Sequence, residues 1–196
     1  MSIEIRKLTP ELAEDYVRFF DETPHNLKYH TKCYCVCWSS NDDSKSGDSS
    51  TPKKRRELAL QYVKDGSLQG YLAYDNDIVV GWCNTNTKSD CLKCISWRYL
   101  MDSLPSEESA LEIKIKSIFC FTVAPEMQRQ GVASRLLARV CQDAAADGFD
   151  FVEAYPDKEV TDKSENFVGY ADMYKKISFT VYYETNKKFV MRKPLK

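Results

Sequence analysis

The segment Gln128-Arg129-Gln130-Gly131-Val132-Ala133-Ser134 has the makings of an anion-binding joint. An apolar run stops at Pro125, a short polar loop comes next, and Gly131 with the small Ala133 and Ser134 opens a helix. The first turn of a helix carries N–H groups without an intrahelical partner and roughly half a positive charge. Missing or small side chains let a phosphate reach those groups closely. An ordinary strand-to-helix connection has the same look, so the glycine alone decides nothing.

Eight cysteines form the other reactive set. Cys120 and Cys141 fall inside apolar periodic segments and read as small core hydrophobes. The rest group as Cys33, Cys35 and Cys37, then Cys83, Cys91 and Cys94. Two ligands of one zinc, each about 2.3 Å from it, lie no more than about 4.6 Å apart. Alternate residues of an extended chain are about 6.6 Å apart, so Cys-x-Cys-x-Cys serves one metal only where the chain turns. Tyr34, Val36 and Trp38 at alternate positions favour an extended segment there, and no metal is expected. His25 and His30 have the right unperturbed pKa for proton transfer but read as loop histidines. Glu112 is the carboxylate on the predicted central strand. It precedes Val123 by eleven residues, about 36 Å at strand rise, too far to share a substrate unless a bulge or bend intervenes. No general base is legible.

These residues need elements to hold them. The chain has 196 residues, 43% hydrophobic and 29% charged, with a formal net charge of −1. That length suits one domain, with a core large enough to fold without metal or disulfides. A generic nucleic-acid binder would be basic, and no apolar run approaches the roughly 20 residues that span a bilayer. Met1 to Arg6 reads as an amphipathic strand and not a signal peptide, so a reducing cytoplasm with free thiols is expected. The predicted order is a strand at 2–8 and a helix from Pro10 to about Asp21. A mobile polar loop at about 41–52 and a helix over 53–64 come next, then a hairpin at 70–84. Residues 85–110 are ambiguous, with a short helix around Cys91 to Met101. The central strand at 112–123 precedes the helix at 131–146, which has Val132, Leu136, Leu137, Val140, Cys141 and Ala144 on one stripe. A buried strand at 149–154, a helix over 165–177 and two strands near 178–184 and 188–193 complete the chain.

Gln128-Arg129-Gln130-Gly131-Val132-Ala133 resembles the Gln/Arg-x-x-Gly-x-Gly/Ala signature of the GNAT superfamily of N-acetyltransferases. Val123-Ala124-Pro125-Glu126 before it is typical of the same family. Met173-Tyr174-Lys175-Lys176-Ile177-Ser178-Phe179 is similar to the family's Leu-Tyr-x-Lys-x-Gly-Phe, with Ser178 in place of glycine. The motifs stand in the family's order, and the element order agrees from about residue 1 to 193. The resemblance implies an α+β fold. Its mixed, mostly antiparallel sheet would have about six to seven strands flanked by about four helices, with a splay between strand 112–123 and strand 149–154. It implies acetyl-CoA as co-substrate and no metal. The pyrophosphate would lie on the backbone amides of Gln128, Arg129, Gln130, Gly131, Val132, Ala133 and Ser134. The pantetheine arm would pair with Phe121, Thr122 and Val123, and Asn166 matches, one position off, a helix-start residue that touches it. Tyr174 matches the tyrosine that protonates the departing thiolate; without the motif it would read as a core tyrosine beside Phe167, Tyr170 and Ile177.

The favoured reading is therefore direct acetyl transfer to an amine, more readily of a small molecule than of a protein. It needs no nucleic acid and no membrane, and a monomer or homodimer suffices. The alternatives are a metal-binding or thiol-redox module built on the clustered cysteines, and a protein that binds acetyl-CoA without turnover. In the family the segment after the first helix borders the acceptor site, so Cys33, Cys35 and Cys37 would also suit a pocket wall.

Overall fold

The structure, a computed structural model, describes residues 2–23, 32–40, 51–101, 112–162 and 166–196. Seven strands form one sheet: β1 (Ile3–Lys7), β2 (Gly70–Asp75), β3 (Ile78–Thr87), β4 (Ile115–Val123), β5 (Phe151–Ala154), β6 (Thr180–Glu184) and β7 (Phe189–Pro194). Their order across the sheet is β1-β2-β3-β4-β5-β7-β6. Every pairing is antiparallel except β4 with β5. This is the expected mixed, mostly antiparallel α+β architecture. Six α-helices are described: α1 (Ala13–Glu22), α2 (Pro52–Lys64), α3 (Lys88–Cys91), α4 (Ile95–Leu100), α5 (Val132–Ala146) and α6 (Ala171–Lys175). Helix α4 falls within the short helix expected around Cys91 to Met101, and α3, at four residues, is too short for a helical stripe to register. Among the described residues no helix is long and apolar enough to cross a membrane.

Helices cover both faces. Trp82 on β3 meets the Tyr16 ring of α1 at 4.7 Å. Gly81, pointing to the opposite face as the adjacent residue of a strand must, lies under α5. A Cβ there would sit 2.8 Å from Val132 Cγ1, so the missing side chain lets the first turn of α5 rest on the sheet. All six residues of the predicted α5 stripe are buried.

The strand that positions the site is β4. It pairs with β3 from Lys116 to Val123, but with β5 only from Ile115 to Ile118. Asn84 faces Cys120 and Thr85 faces Ile118, so Phe119 is the extra residue of a bulge. A bulge bends its strand and re-aims the residues beyond it. Past Ala154 the chain stays with β7 instead: Phe189 N–H donates to Pro156 O at 2.9 Å, and Lys158 N–H to Lys187 O at 2.8 Å. The two central strands therefore part from Phe119 onward.

Several expectations are corrected. The central strand starts at Ile115, not at 112; Glu112 lies outside it with φ 56°, so it is not a strand carboxylate. The extended segment expected at 33–38 is a compact turn: Tyr34 and Cys35 have φ 50° and 48°, and Val36–Trp38 forms a 3-10 turn. Cys35 N–H donates to Cys33 Sγ at 3.2 Å and Tyr16 hydroxyl to Tyr34 O at 2.7 Å, which holds Tyr34, Cys35, Val36 and Trp38 all inward. The alternation reflects inward packing of a coiled segment, not a pleat. The helix expected over 165–177 runs only from Ala171 to Lys175. Phe167 carbonyl is spent on β4 and Gly169 has φ 76°, so helical backbone cannot begin before Tyr170. Thr51 and Pro52, expected in the polar loop, instead start α2, with Lys54 N–H on Thr51 Oγ1 at 3.2 Å. Residues 41–50 of that loop, and His25 and His30, lie outside the described residues.

Candidate active site

The loop between β4 and α5 has the geometry of an anion cradle. Gly131 caps α5 with φ 82° and ψ 7°, a left-handed conformation that glycine adopts without steric cost. Arg129, at φ 61°, is the other left-handed residue of the loop. The first helical backbone bond is Arg135 N–H to Gly131 O at 3.0 Å. The amides of Val132, Ala133 and Ser134 thus precede the helical ladder and point out of its end. Gln128 and Gln130 side chains brace the loop by donating to Val123 O at 3.4 Å and Glu126 O at 2.7 Å. Gln128, Arg129, Gln130, Gly131 and Ser134 are exposed, whereas Val132 is buried against Gly81.

At the splay, Phe121, Thr122 and Val123 continue β4 without β5. The edge is not wholly unpaired, contrary to expectation: Phe121 N–H donates to Phe167 O at 2.6 Å. One residue on, Val168 O accepts the Tyr174 hydroxyl at 2.5 Å. Tyr174 is fully buried, its ring against Phe179 at 5.3 Å. Burial first, then the neighbouring thiols of Cys83, Cys120 and Cys141, push its pKa well above the ordinary tyrosine value. The phenol therefore sits beside the parting strands and keeps its proton. Asn166 is not a helix start, but among the described residues neither its Nδ2 nor its Oδ1 has a hydrogen-bond partner although both are buried. A buried amide with both ends unsatisfied costs free energy that a ligand amide would recover.

Ser178 explains its own motif position. It comes just after α6 at φ 71°, its N–H bonded to Lys175 O at 3.0 Å, while Phe179 N–H reaches Tyr174 O at 3.2 Å. This is a left-handed helix stop, the place where glycine is cheapest. Ser178→Gly should therefore raise stability by roughly 0.5–1 kcal/mol, or about 1–4 °C in Tm for a chain of this size. Thermal melting checks it; a lower Tm would mean the serine side chain supplies more than the strain removes.

Two features had no sequence signal. One is the bulge at Phe119, whose ring is held by Trp38 (stacked, 4.4 Å) and Trp97 (edge-on, 6.4 Å). The other is a buried polar group where β4, β5 and β7 last run together. Glu153 is bound by Lys88 Nζ at 3.0 Å, by Arg192 Nε at 2.7 Å and by Arg192 Nη2. The Tyr155 hydroxyl adds a bond to Glu153 at 3.0 Å and lies 2.7 Å from Ser117 Oγ. Removing one partner of such a buried set costs several kcal/mol, so it fixes where the splay begins. A carboxylate in a strand reads only as surface alternation, which is why sequence reasoning passed over it.

The turn at Cys33–Cys37 meets the condition set for a metal site, yet among the described residues no group of three or more His, Cys, Asp or Glu is arranged to hold an ion. Several of the thiols meet backbone and hydroxyl groups instead: Cys91 Sγ lies 3.8 Å from Trp38 O, Cys94 Sγ accepts from Trp97 N–H at 3.4 Å and Cys120 Sγ lies 3.9 Å from Thr122 Oγ1.

Residues 31–170 match the family model described as Acetyltransferase (GNAT) family. No curated protein matches the sequence. Among solved structures, the chain is similar to PaiA N-acetyltransferase from Thermoplasma acidophilum in complex with coenzyme A, at TM-score 0.56 and 17% identity, covering 99% of each chain. It is similar to an N-acetyltransferase from Staphylococcus aureus Mu50, at TM-score 0.55 and 14% identity over 100% of each chain. It also resembles the ribosomal-protein-alanine N-acetyltransferase of Brucella melitensis, at TM-score 0.51 and 10% identity, covering 94% of this chain and 96% of that one. At these identities the structures speak for the fold, and the family model, matched over most of the sequence, speaks for descent: this chain belongs to the GNAT family of acetyltransferases.

Proposed function

We propose that this acetyltransferase moves an acetyl group from acetyl-CoA to a primary amine of a small molecule by direct attack. The observation that supports this most is the bulge at Phe119, which parts β4 from β5 beside the outward-pointing amides of α5. The backbone of Gln128 through Ser134 would hold the pyrophosphate. Phe121, Thr122 and Val123 would pair with the pantetheine arm, which takes the place of Phe167 O at the Phe121 amide. The Asn166 amide, unsatisfied among the described residues, offers that arm a donor and an acceptor. Coenzyme A in the complex of the Thermoplasma protein fits the same reading. Residues 1–196 would form one acetyltransferase domain, with the polar sequence before Thr51 as an insertion, acting in the cytoplasm as monomer or homodimer, without nucleic acid or membrane.

The attacking amine must first lose its proton to a base or water chain. The Val123 N–H would steady the oxyanion that develops on the thioester carbonyl. Tyr174 would then turn its hydroxyl from Val168 O to the leaving sulfur and give up its proton there. Its raised pKa keeps that proton available throughout the working range.

These roles set the pH profile. A simple alkylamine has pKa about 10.4, so its neutral fraction rises about tenfold per unit between pH 7 and 9. A tyrosine pushed above its usual value loses nothing over that span. The expected kcat/KM climbs with pH and shows no descending limb below about pH 10. A fall beginning near pH 8 would contradict Tyr174 as the acid. The acceptor itself is found by incubating protein and acetyl-CoA with a panel of polyamines, amino sugars, amino acids and lysine or N-terminal peptides, reading acetylated product by mass. Turnover confined to peptides would move the acceptor class; binding of acetyl-CoA with no product across the panel would favour a sensor.

A further inference from the structure

The acetyl-transfer reading makes no use of Cys91 and Cys94, and the local geometry gives them a chemistry of their own. Cys94 N–H donates to Cys91 O at 3.0 Å, closing a four-residue turn. The ends of such a turn lie within about 7 Å, which brackets the roughly 4.4–6.8 Å Cα separation of disulfides. Each thiol is the strongest influence on the other, raising Cys91 and lowering Cys94, as near neighbours do. Trp97 N–H donates to Cys94 Sγ at 3.4 Å, a bond that favours the thiolate. The Cys91 thiol, and after it donors from Trp97 and Ser96, hold Cys94 below the usual thiol range. Burial pushes Cys37, Cys83 and Cys141 the other way. Cys91 lies against Trp38 O at 3.8 Å. The pair thus touches both tryptophans that grip Phe119.

We propose that Cys91 and Cys94 form a reversible dithiol–disulfide site, closed by a small hydroperoxide and coupled through Trp38 and Trp97 to the bulge of β4. Both thiols are buried, which admits a small oxidant sooner than a protein disulfide. The Cys94 thiolate attacks the peroxide O–O bond, giving Cys94 sulfenic acid and, with a proton, water. The Cys91 sulfur then attacks the sulfenic sulfur, forming the S–S bond and releasing a second water. Two thiols are oxidised by two electrons and one hydrogen peroxide is reduced. A dithiol reductant returns both thiols and leaves as its own disulfide.

Lys93 lies between the two cysteines, so trypsin separates 89–93 from 94–98. The experiment treats the intact protein with hydrogen peroxide in modest excess, blocks free thiols in denaturant and maps tryptic peptides by mass. Expected is a disulfide-linked pair of these two peptides, lost after dithiothreitol, appearing in step with a change in tryptophan emission. In Cys91→Ser the reaction should stop at a sulfenic acid on Cys94, trapped by dimedone. Should that variant fail to fold, the map of the unmodified protein still decides. Recovery of both peptides singly blocked after prolonged peroxide would overturn the proposal. So would linkage of either cysteine to another partner, or overoxidation without linkage. None of these readouts depends on acetyl transfer, so their failure leaves the proposed activity standing.

Discussion

Gly131→Glu should abolish acetyl-CoA binding while the protein stays folded. A Cβ at Gly131 meets nothing within 4 Å, so the new side chain has room in the unliganded protein. Its cost to the fold is the left-handed backbone at φ 82°, roughly 1 kcal/mol, or about 2–4 °C in Tm. The same carboxylate would stand in the approach to the amides of Val132, Ala133 and Ser134, where the pyrophosphate is proposed to lie. Each charge-assisted hydrogen bond lost is worth roughly 1.5–3 kcal/mol, so two or three shift affinity by about two to six decades. Gly131→Ala carries the backbone strain without the charge and should keep most of the binding. Calorimetric titration of both variants, with a melting curve for each, reads the result. Unchanged affinity in a folded Gly131→Glu would show that the loop has another task.

Tyr174→Phe should cut turnover by about 10²–10⁴-fold, roughly 3–5 kcal/mol of barrier, with acetyl-CoA affinity changed by only a small factor. The ring and its contact with Phe179 remain, and the change removes one hydrogen bond, to Val168 O. That bond is worth about 1 kcal/mol, a drop of about 2–4 °C. Turnover and binding separate because the hydroxyl is asked to act on charge that appears only as the thiolate departs. Full activity in the variant would return Tyr174 to the core. The measurement is kcat with the best amine found, taken together with cofactor affinity and Tm.

The fold was legible wherever periodicity and stops agreed. The α5 stripe from Val132 to Ala144 and the hairpin around Asp75-Asn76-Asp77 came through because each shows several repeats of one period. Ser178 could be read as a motif departure but not as a strained residue, since φ is invisible in a sequence. The coil at Tyr34–Trp38 misleads because alternate inward side chains arise from a tight turn as well as from a pleat. The short α6 misleads because apolar spacing continues through Phe167, whose carbonyl is instead bonded to β4. The loop between β4 and α5 was legible as a local pattern of small residues. The bulge at Phe119, the Glu153 charge group and the contact of Phe167 with Phe121 were not. They join residues tens of positions apart, and single-sequence spacing holds no record of them.

Whether the splay and the α5 end bind acetyl-CoA is read by calorimetric titration of the purified protein with acetyl-CoA. One molecule of acetyl-CoA should bind per chain, in competition with coenzyme A. A flat titration at high micromolar acetyl-CoA, in protein that melts cooperatively, would contradict it.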